Sequence, residues 1–306
     1  MRSISPARRV VVQSPRQAVI DRVHGVRSTG RALLVVSAGA GIIASSAARA
    51  GADLLVVYSS SRYRMAGLGS LAALLPIGDA NAIVLDLASE IVPLAGTTPV
   101  LVGVCASDPF RPVPALLAEI RAAGYSGVQN FPTVGLYGSA LQASLDDIGM
   151  GFDREIDLVT AARAADLYTA PFVFSPDQAV AMVNAGADAI VPHLGLTTGG
   201  AIGANRVLST VEAAERVATI ADAARHIRAD VTVLFHGGPA SGPAAVQAIL
   251  DRAPQVDGFV SASATERLPV EAAVEGAVSA MLTLRTSSPD RTRPKPSGAS
   301  DPLGHP

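Results

Sequence analysis

Between about residue 32 and residue 284 the chain alternates short, nearly continuous runs of Val, Ile and Leu with helical segments. A run without polar alternation suits a strand covered on both faces, and strands alternating with helices make βα units around a parallel sheet. Eight runs predict strands: 32–37, 53–58, 99–104, 127–131, 168–174, 187–193, 231–236 and 258–261. Eight strands with intervening helices over about 250 residues is the (β/α)8 TIM barrel count, an α/β fold.

The connections sort onto two faces. Ala-Gly-Ala-Asp stands between a helix and a strand at 50–53 and again at 185–188, and Ala-Ala-Gly at 122–124 introduces strand four. Glycine there ends a helix in a left-handed conformation, which marks turns on the stability face of a barrel. The long connections, 59–80 after strand two and the Gly- and Thr-rich 195–206 after strand six, fall at the opposite face, where barrel active sites sit. Two helices, 139–148 and 153–165, follow strand four, and the second is a candidate brace for an oligomer contact. Three segments result: a basic N-terminal arm, 1–30, with a short helix over the barrel bottom; the barrel domain, 31–285; and a disordered Pro-rich tail, 286–306.

Composition narrows the chemistry. Hydrophobic residues make up 49% and charged residues 16% of the 306, enough for one large core. The long apolar stretch 91–107 is broken by proline and glycine, so no membrane partner is expected. The Arg-rich start lacks an apolar h-region and Cys105 stands alone, which suggests a cytoplasmic protein without disulfides. Lys295, in the tail, is the one lysine. Pyridoxal phosphate and Schiff-base chemistry need a buried amine and are therefore excluded from the barrel. Residues 1–31 carry seven arginines against one aspartate, while residues 32–284 carry 13 basic and 23 acidic side chains. An acidic body offers no footprint for nucleic acid.

Candidate chemistry collects at predicted strand ends. His236 and His193 each close a strand and are the first candidates for proton transfer, because imidazole titrates near neutrality. Gly237 and Gly238 after strand seven, with Ser261 and Ser263 after strand eight, could cradle a phosphate or carboxylate. Arg62 and Arg64, beside Ser59, Ser60 and Ser61, could clamp a second anion or tie the loop to acidic neighbours. Asn130, Thr197 and Thr198 supply neutral donors suited to an enolate or to loop packing. Asp79 or Asn81 is expected to cap a helix. Asp108 and Glu266 are candidate Mg²⁺ ligands, and Cys105 is read first as a small apolar residue. No zinc spacing occurs, and Gly39 with Gly41 is only part of a phosphate-loop pattern, so no NAD site is expected.

Taken together, several runs carry a resemblance: Ala38-Gly39-Ala40-Gly41-Ile42, Gly78-Asp79-Ala80-Asn81-Ala82, Gly127-Val128-Gln129-Asn130-Phe131-Pro132-Thr133, His193-Leu194-Gly195-Leu196-Thr197-Thr198-Gly199-Gly200, His236-Gly237-Gly238-Pro239 and Glu266-Arg267-Leu268-Pro269. Over roughly residues 15–285 the chain resembles the phosphoenolpyruvate hydrolase-like family of TIM-barrel proteins, a domain also found at the C-terminus of a plant virus-resistance protein. The resemblance implies kinship with phosphoenolpyruvate/pyruvate barrels, which hold a pyruvate-like enolate on Mg²⁺ and make or break C–C, C–P or P–O bonds. In mutase and isocitrate lyase relatives several strand-end acids manage the metal and a lid supplies lysine. Here Asp108 and Glu266 are the obvious strand-end acids and the barrel has no lysine, so that mechanism does not carry over.

The expected activity is that of a hydrolase or lyase acting on a phosphorylated or carboxylated keto or enol acid, a small anionic substrate. A non-catalytic ligand-sensing or partner-binding module and a metal-dependent retro-aldol or retro-Claisen lyase are the alternatives. Exposed alanines and extra helices suggest a homo-oligomer.

Overall fold

The computed structural model describes residues 13–204 and 208–285; the tail 286–306, residues 1–12 and the end of the 195–206 connection lie outside the described residues. In chain order the elements are α1 (Pro15–Arg27), β1 (Leu33–Ser37), α2 (Gly41–Arg49), β2 (Leu54–Val57), α3 (Ser59–Met65), α4 (Ala80–Leu94), β3 (Val100–Val104), α5 (Val113–Ala122), β4 (Gly127–Asn130), α6 (Ser139–Asp147), α7 (Asp153–Ala164), β5 (Tyr168–Thr169), β6 (Phe172–Val173), α8 (Pro176–Asn184), β7 (Ala189–Pro192), α9 (Thr210–Ile227), β8 (Thr232–His236), α10 (Pro243–Leu250), β9 (Gly258–Ser261) and α11 (Arg267–Met281). Short 3-10 turns occur at Ser70–Leu74 and Val134–Leu136.

Every strand pair is parallel, and the order is β5-β4-β3-β2-β1-β9-β8-β7-β6. The two ends of that order, β5 and β6, are halves of one predicted run, 168–174, so the sheet closes into a barrel. Pro171 divides the run, because proline has no N–H to offer a ladder. Tyr168 and Thr169 pair with β4, whereas Phe172 and Val173 pair with β7. The other seven runs each contain one strand.

Most strand residues are buried whichever face they occupy, as the continuous apolar runs require. Val35, Val56, Leu101, Val191 and Leu234 belong to one cluster, which Val19 and Val23 of α1 join at 0% and 1% exposure. The segment read as an arm thus contributes a helix to the core. Its entry is set by Ser14, whose Oγ accepts from the Gln17 N–H, followed by Pro15 in the first turn.

The charge asymmetry finds its physical basis at the N-terminal ends of the strands. Arg31 pairs with Asp53 at 2.6 Å, Arg27 with Asp257 at 2.9 Å, and Arg16 with Asp188. The same carboxylates accept backbone N–H groups from Leu34 (2.8 Å), Val233 (2.8 Å) and Thr169 (3.1 Å). Basic residues of the N-terminal segment therefore neutralise acids that hold neighbouring strands in register. The aspartate of each Ala-Gly-Ala-Asp repeat is one of these acids.

Contacts divide the chain after Pro269. The barrel is the first unit. The second begins at Val270 within α11 and exposes Val274, Val278 and Met281.

Candidate active site

The C-terminal ends of β7 and β8 bring two imidazoles together. His193 and His236 form an isolated bridge beyond the regular ladder, with ring centroids 5.0 Å apart. Phe172 lies 5.0 Å from the His193 ring and 5.4 Å from the His236 ring, and Phe174 stacks on His193 at 5.2 Å. The two histidines line a nearly closed pocket of about 30 Å³ at the barrel mouth, roofed by Leu71 and Leu74 of the 3-10 turn and by Leu196.

Hydrogen bonding assigns each ring a tautomer. His236 Nδ1 lies 2.8 Å from the Val260 carbonyl, which can only accept, so Nδ1 carries the proton and Nε2 is left as an acceptor. His193 Nδ1 accepts from the Gly195 N–H at 3.0 Å, so its proton sits on Nε2. Burial holds His236 down at about 4, with the Val260 bond opposing and the Arg64 charge assisting. Burial, then the His236 and Arg216 charges, holds His193 well below the usual imidazole range. At neutral pH the mouth therefore presents one neutral acceptor beside one neutral donor.

Below the roof lies a buried guanidinium. Arg64 Nε donates to Glu266 Oε2 at 2.5 Å; Nη1 reaches Ser60 Oγ (3.1 Å) and Ser70 Oγ (3.0 Å); Nη2 reaches Ser37 Oγ and Ser61 Oγ, both at 2.9 Å. These bonds use all five guanidinium donors. Glu266 is wholly buried, and its Oε1 accepts from Ser37. The predicted loop after strand two thus opens as α3, a helix whose buried side is polar: Ser60, Ser61 and Arg64 face inward while Arg62 is exposed.

Other expected site residues separate. Thr197 and Ser263 line the mouth pocket, while Thr198 makes a bridge with Ala204. Ser261 Oγ accepts from Thr265 Oγ1. Gly237, at φ +83°, sits so close to the Gly195 carbonyl that a Cβ would lie 2.0 Å from it, and the Gly238 N–H donates to that same carbonyl. These glycines let the β7 and β8 loops cross, and Gly238 has no backbone donor left for an anion. Gly39 is likewise set by packing, since a Cβ there would lie 2.3 Å from the Ser61 carbonyl.

Asn130 is also fully engaged. Its Nδ2 donates to Glu155 and to the Phe172 carbonyl, and its Oδ1 accepts from the Phe172 N–H at 2.6 Å. The side-chain amide thereby replaces the ladder that Pro171 interrupts. Glu155, a first-turn acid of α7 that no motif singles out, also accepts from Thr133 and from the Val134 N–H. Burial pushes its carboxyl up to about 7 against those three bonds. Its helix thereby holds the loop after β4.

A wider cleft of about 690 Å³ opens among the loops after β2, β3 and β4. Its charged residues are paired, Arg111 with Asp79 at 2.6 Å and with Asp108 at 2.7 Å, which leaves one net negative charge. Asp79 also caps α4, as expected, through the Ala82 N–H. Burial raises the Cys105 thiol to about 11, so it is no thiolate at neutral pH.

The two expected Mg²⁺ ligands fall in different clusters. Asp108 accepts from Asn81, Arg111 and the Phe110 N–H, while Glu266 accepts from Arg64 and Ser37. Each faces an arginine, whose charge repels a cation. Among the described residues no group of three or more His, Cys, Asp or Glu is placed to hold a metal ion. Asp108 and Glu266 are therefore not placed to share one Mg²⁺.

Comparison with known proteins places this geometry. A family model described as phosphoenolpyruvate hydrolase-like matches residues 18–284. The ToMV resistance protein Tm-1(GCR237) and the ToMV susceptible protein tm-1(GCR26), both of Solanum lycopersicum, are each 46% identical over 263 residues, 86% of this chain. The chain spans 35% of the length of either relative. A phosphonopyruvate hydrolase solved with oxalate and Mg²⁺ superposes with a TM-score of 0.58 at 16% identity, over 89% of this chain and 88% of that one. A 2,3-dimethylmalate lyase of the PEP mutase/isocitrate lyase superfamily gives 0.57 at 14% identity, over 91% and 92%. These structures share the fold.

Proposed function

The chain belongs to the phosphoenolpyruvate hydrolase-like family, and on that footing we propose that it is a lyase or hydrolase acting on a small keto or enol acid, with His236 moving the proton. The observation that carries this is the pair of complementary tautomers in the mouth, an acceptor at His236 Nε2 beside a donor at His193 Nε2.

Both reaction types share an enolate. In hydrolysis His236 Nε2 takes a proton from the water that attacks the group on the carbon beside the keto group, and the bond pair to that carbon enters the enolate. The enolate oxygen accepts from His193 Nε2–H, and the imidazolium then protonates the carbon. In a lyase the enolate arises from C–C scission instead. The bond pair then enters the enolate, the leaving alcohol's proton passes to His236, and the imidazolium returns it to carbon. Burial keeps His236 in the unprotonated form that a base requires, and the aromatic wall keeps bulk water from the enolate. Entry requires the Leu71–Leu74 roof or the Leu196 loop to move, because about 30 Å³ holds roughly one water.

The test is consumption of a keto-acid panel by the wild-type protein and by His236→Gln and His193→Gln. Loss in both variants supports the proposal; turnover unchanged in His236→Gln overturns it. A ligand-binding module without turnover is the second reading, favoured by the closed roof and by relatives whose names state no reaction. It predicts ligand-induced thermal stabilisation with no product.

A further inference from the structure

Resting on that reading, we propose that the mouth binds a monoanionic 2-oxo acid with an apolar side chain and does so without a divalent cation, the carboxylate being held by Ser60 and Ser70. Among the described residues Arg64 is the one charged residue lining the pocket, and Glu266 neutralises it. Its five donors are occupied, so it cannot grip an anion directly without breaking the cluster.

What it can do is act through the serines. Ser60 and Ser70 each line the pocket and accept from Arg64 Nη1, and neither hydroxyl proton has an acceptor among the described residues. Ser60 is 2% exposed. A hydroxyl that accepts from a guanidinium is a stronger donor through its own proton, so the pair presents two polarised O–H groups to a carboxylate. Arg267, on the far side of the roof, donates to the Gly199 carbonyl and ties down the β7 loop.

Charge and surface select the ligand. With Arg64 neutralised and both imidazoles uncharged, a di- or trianion would be desolvated against no surplus positive charge, whereas one carboxylate on two polarised hydroxyls is balanced. The rest of the wall is apolar: Tyr58, Phe131, Phe172, Leu71, Leu74 and Leu136. The metal that a superposed barrel carries with its oxalate has no cluster of three or more His, Cys, Asp or Glu among the described residues here to receive it.

Isothermal titration of the full chain with 3-methyl-2-oxobutanoate, pyruvate, oxalate and phosphoenolpyruvate, each in EDTA and in MgCl2, tests this. The branched monoanion is expected to bind on the order of tenfold tighter than pyruvate, from two additional buried carbons at about 0.8 kcal/mol each. EDTA and MgCl2 are expected to give the same affinity. Ser60→Ala/Ser70→Ala, which leaves the Arg64–Glu266 pair in place, is expected to weaken it about tenfold in protein still folded at the titration temperature, with Tm lowered because both Arg64 Nη1 donors lose their acceptors. Binding that needs Mg²⁺, a preference for oxalate or phosphoenolpyruvate, or full affinity in the double serine variant overturns the proposal. Any of these together with His236-dependent turnover leaves the proton-transfer reading standing. Absence of binding by all four probes overturns both.

Discussion

Arg64 and Glu266 are 202 positions apart in the chain and form one buried unit, at 4% and 0% exposure. Arg64→Met leaves the Glu266 carboxylate buried without its cation, and Glu266→Leu leaves the guanidinium without its anion; either change is expected to cost about 3–5 kcal/mol. The four serine oxygens around Arg64 soften the second loss, because they still accept from four of its five donors. Arg64→Met/Glu266→Leu removes both charges, so the double variant is expected to be no less stable than the worse single one. The coupling then amounts to about 2 kcal/mol or more. Urea unfolding of the four proteins, with unchanged m-values, measures the cycle. Additivity of the single effects to within about 0.5 kcal/mol would refute the claim that the ion pair is one unit.

Three further outcomes follow from the structure. The folded His236 value, about 4, lies below the unfolded 6.5, so the unfolded chain binds more protons between them. Stability present above pH 6.5 is lost as pH falls toward 4, by about 3 kcal/mol for this group, and urea unfolding of wild type against His236→Gln should show a shallower pH slope in the variant. Asn130→Ala is expected to cost about 2–3 kcal/mol by stranding the Phe172 N–H, and Asn130→Asp more, since it places a carboxylate beside buried Glu155; thermal unfolding checks the order. Asp188→Ala should cost about 2–3 kcal/mol, because it strands Arg16 and the Thr169 N–H together; urea unfolding measures it.

The apolar runs predicted where the strands lie, because a closed parallel barrel buries both strand faces and that requirement is written locally. The split at Pro171 was also written in the run, but its repair was not. Asn130 reaches across 42 positions to bond Phe172, a pairing that only the closed ring creates. Apolar periodicity did not reveal α3, since the side it buries is serine and arginine rather than leucine. Arg64 and Glu266 were both picked out as candidates, one for an anion and one for a metal, but nothing in a linear sequence shows that they neutralise each other. The partners of the N-terminal arginines were not legible in the sequence, because the aspartates that pair with them stand at the starts of distant strands. His193 and His236 stood out because strand ends converge on a barrel mouth, whereas their tautomers depend on the Gly195 N–H and the Val260 carbonyl.

Proton transfer at His236 Nε2 is measured most directly by exchange. The protein is incubated with 3-methyl-2-oxobutanoate in D2O, and the C3–H signal is followed by proton NMR. Wild type is expected to wash that proton out well above the buffer rate at neutral pH, and His236→Gln to fall to the buffer rate. Equal washout by wild type and His236→Gln, or none above buffer from a ligand shown to bind, would contradict the assignment of His236 as the base.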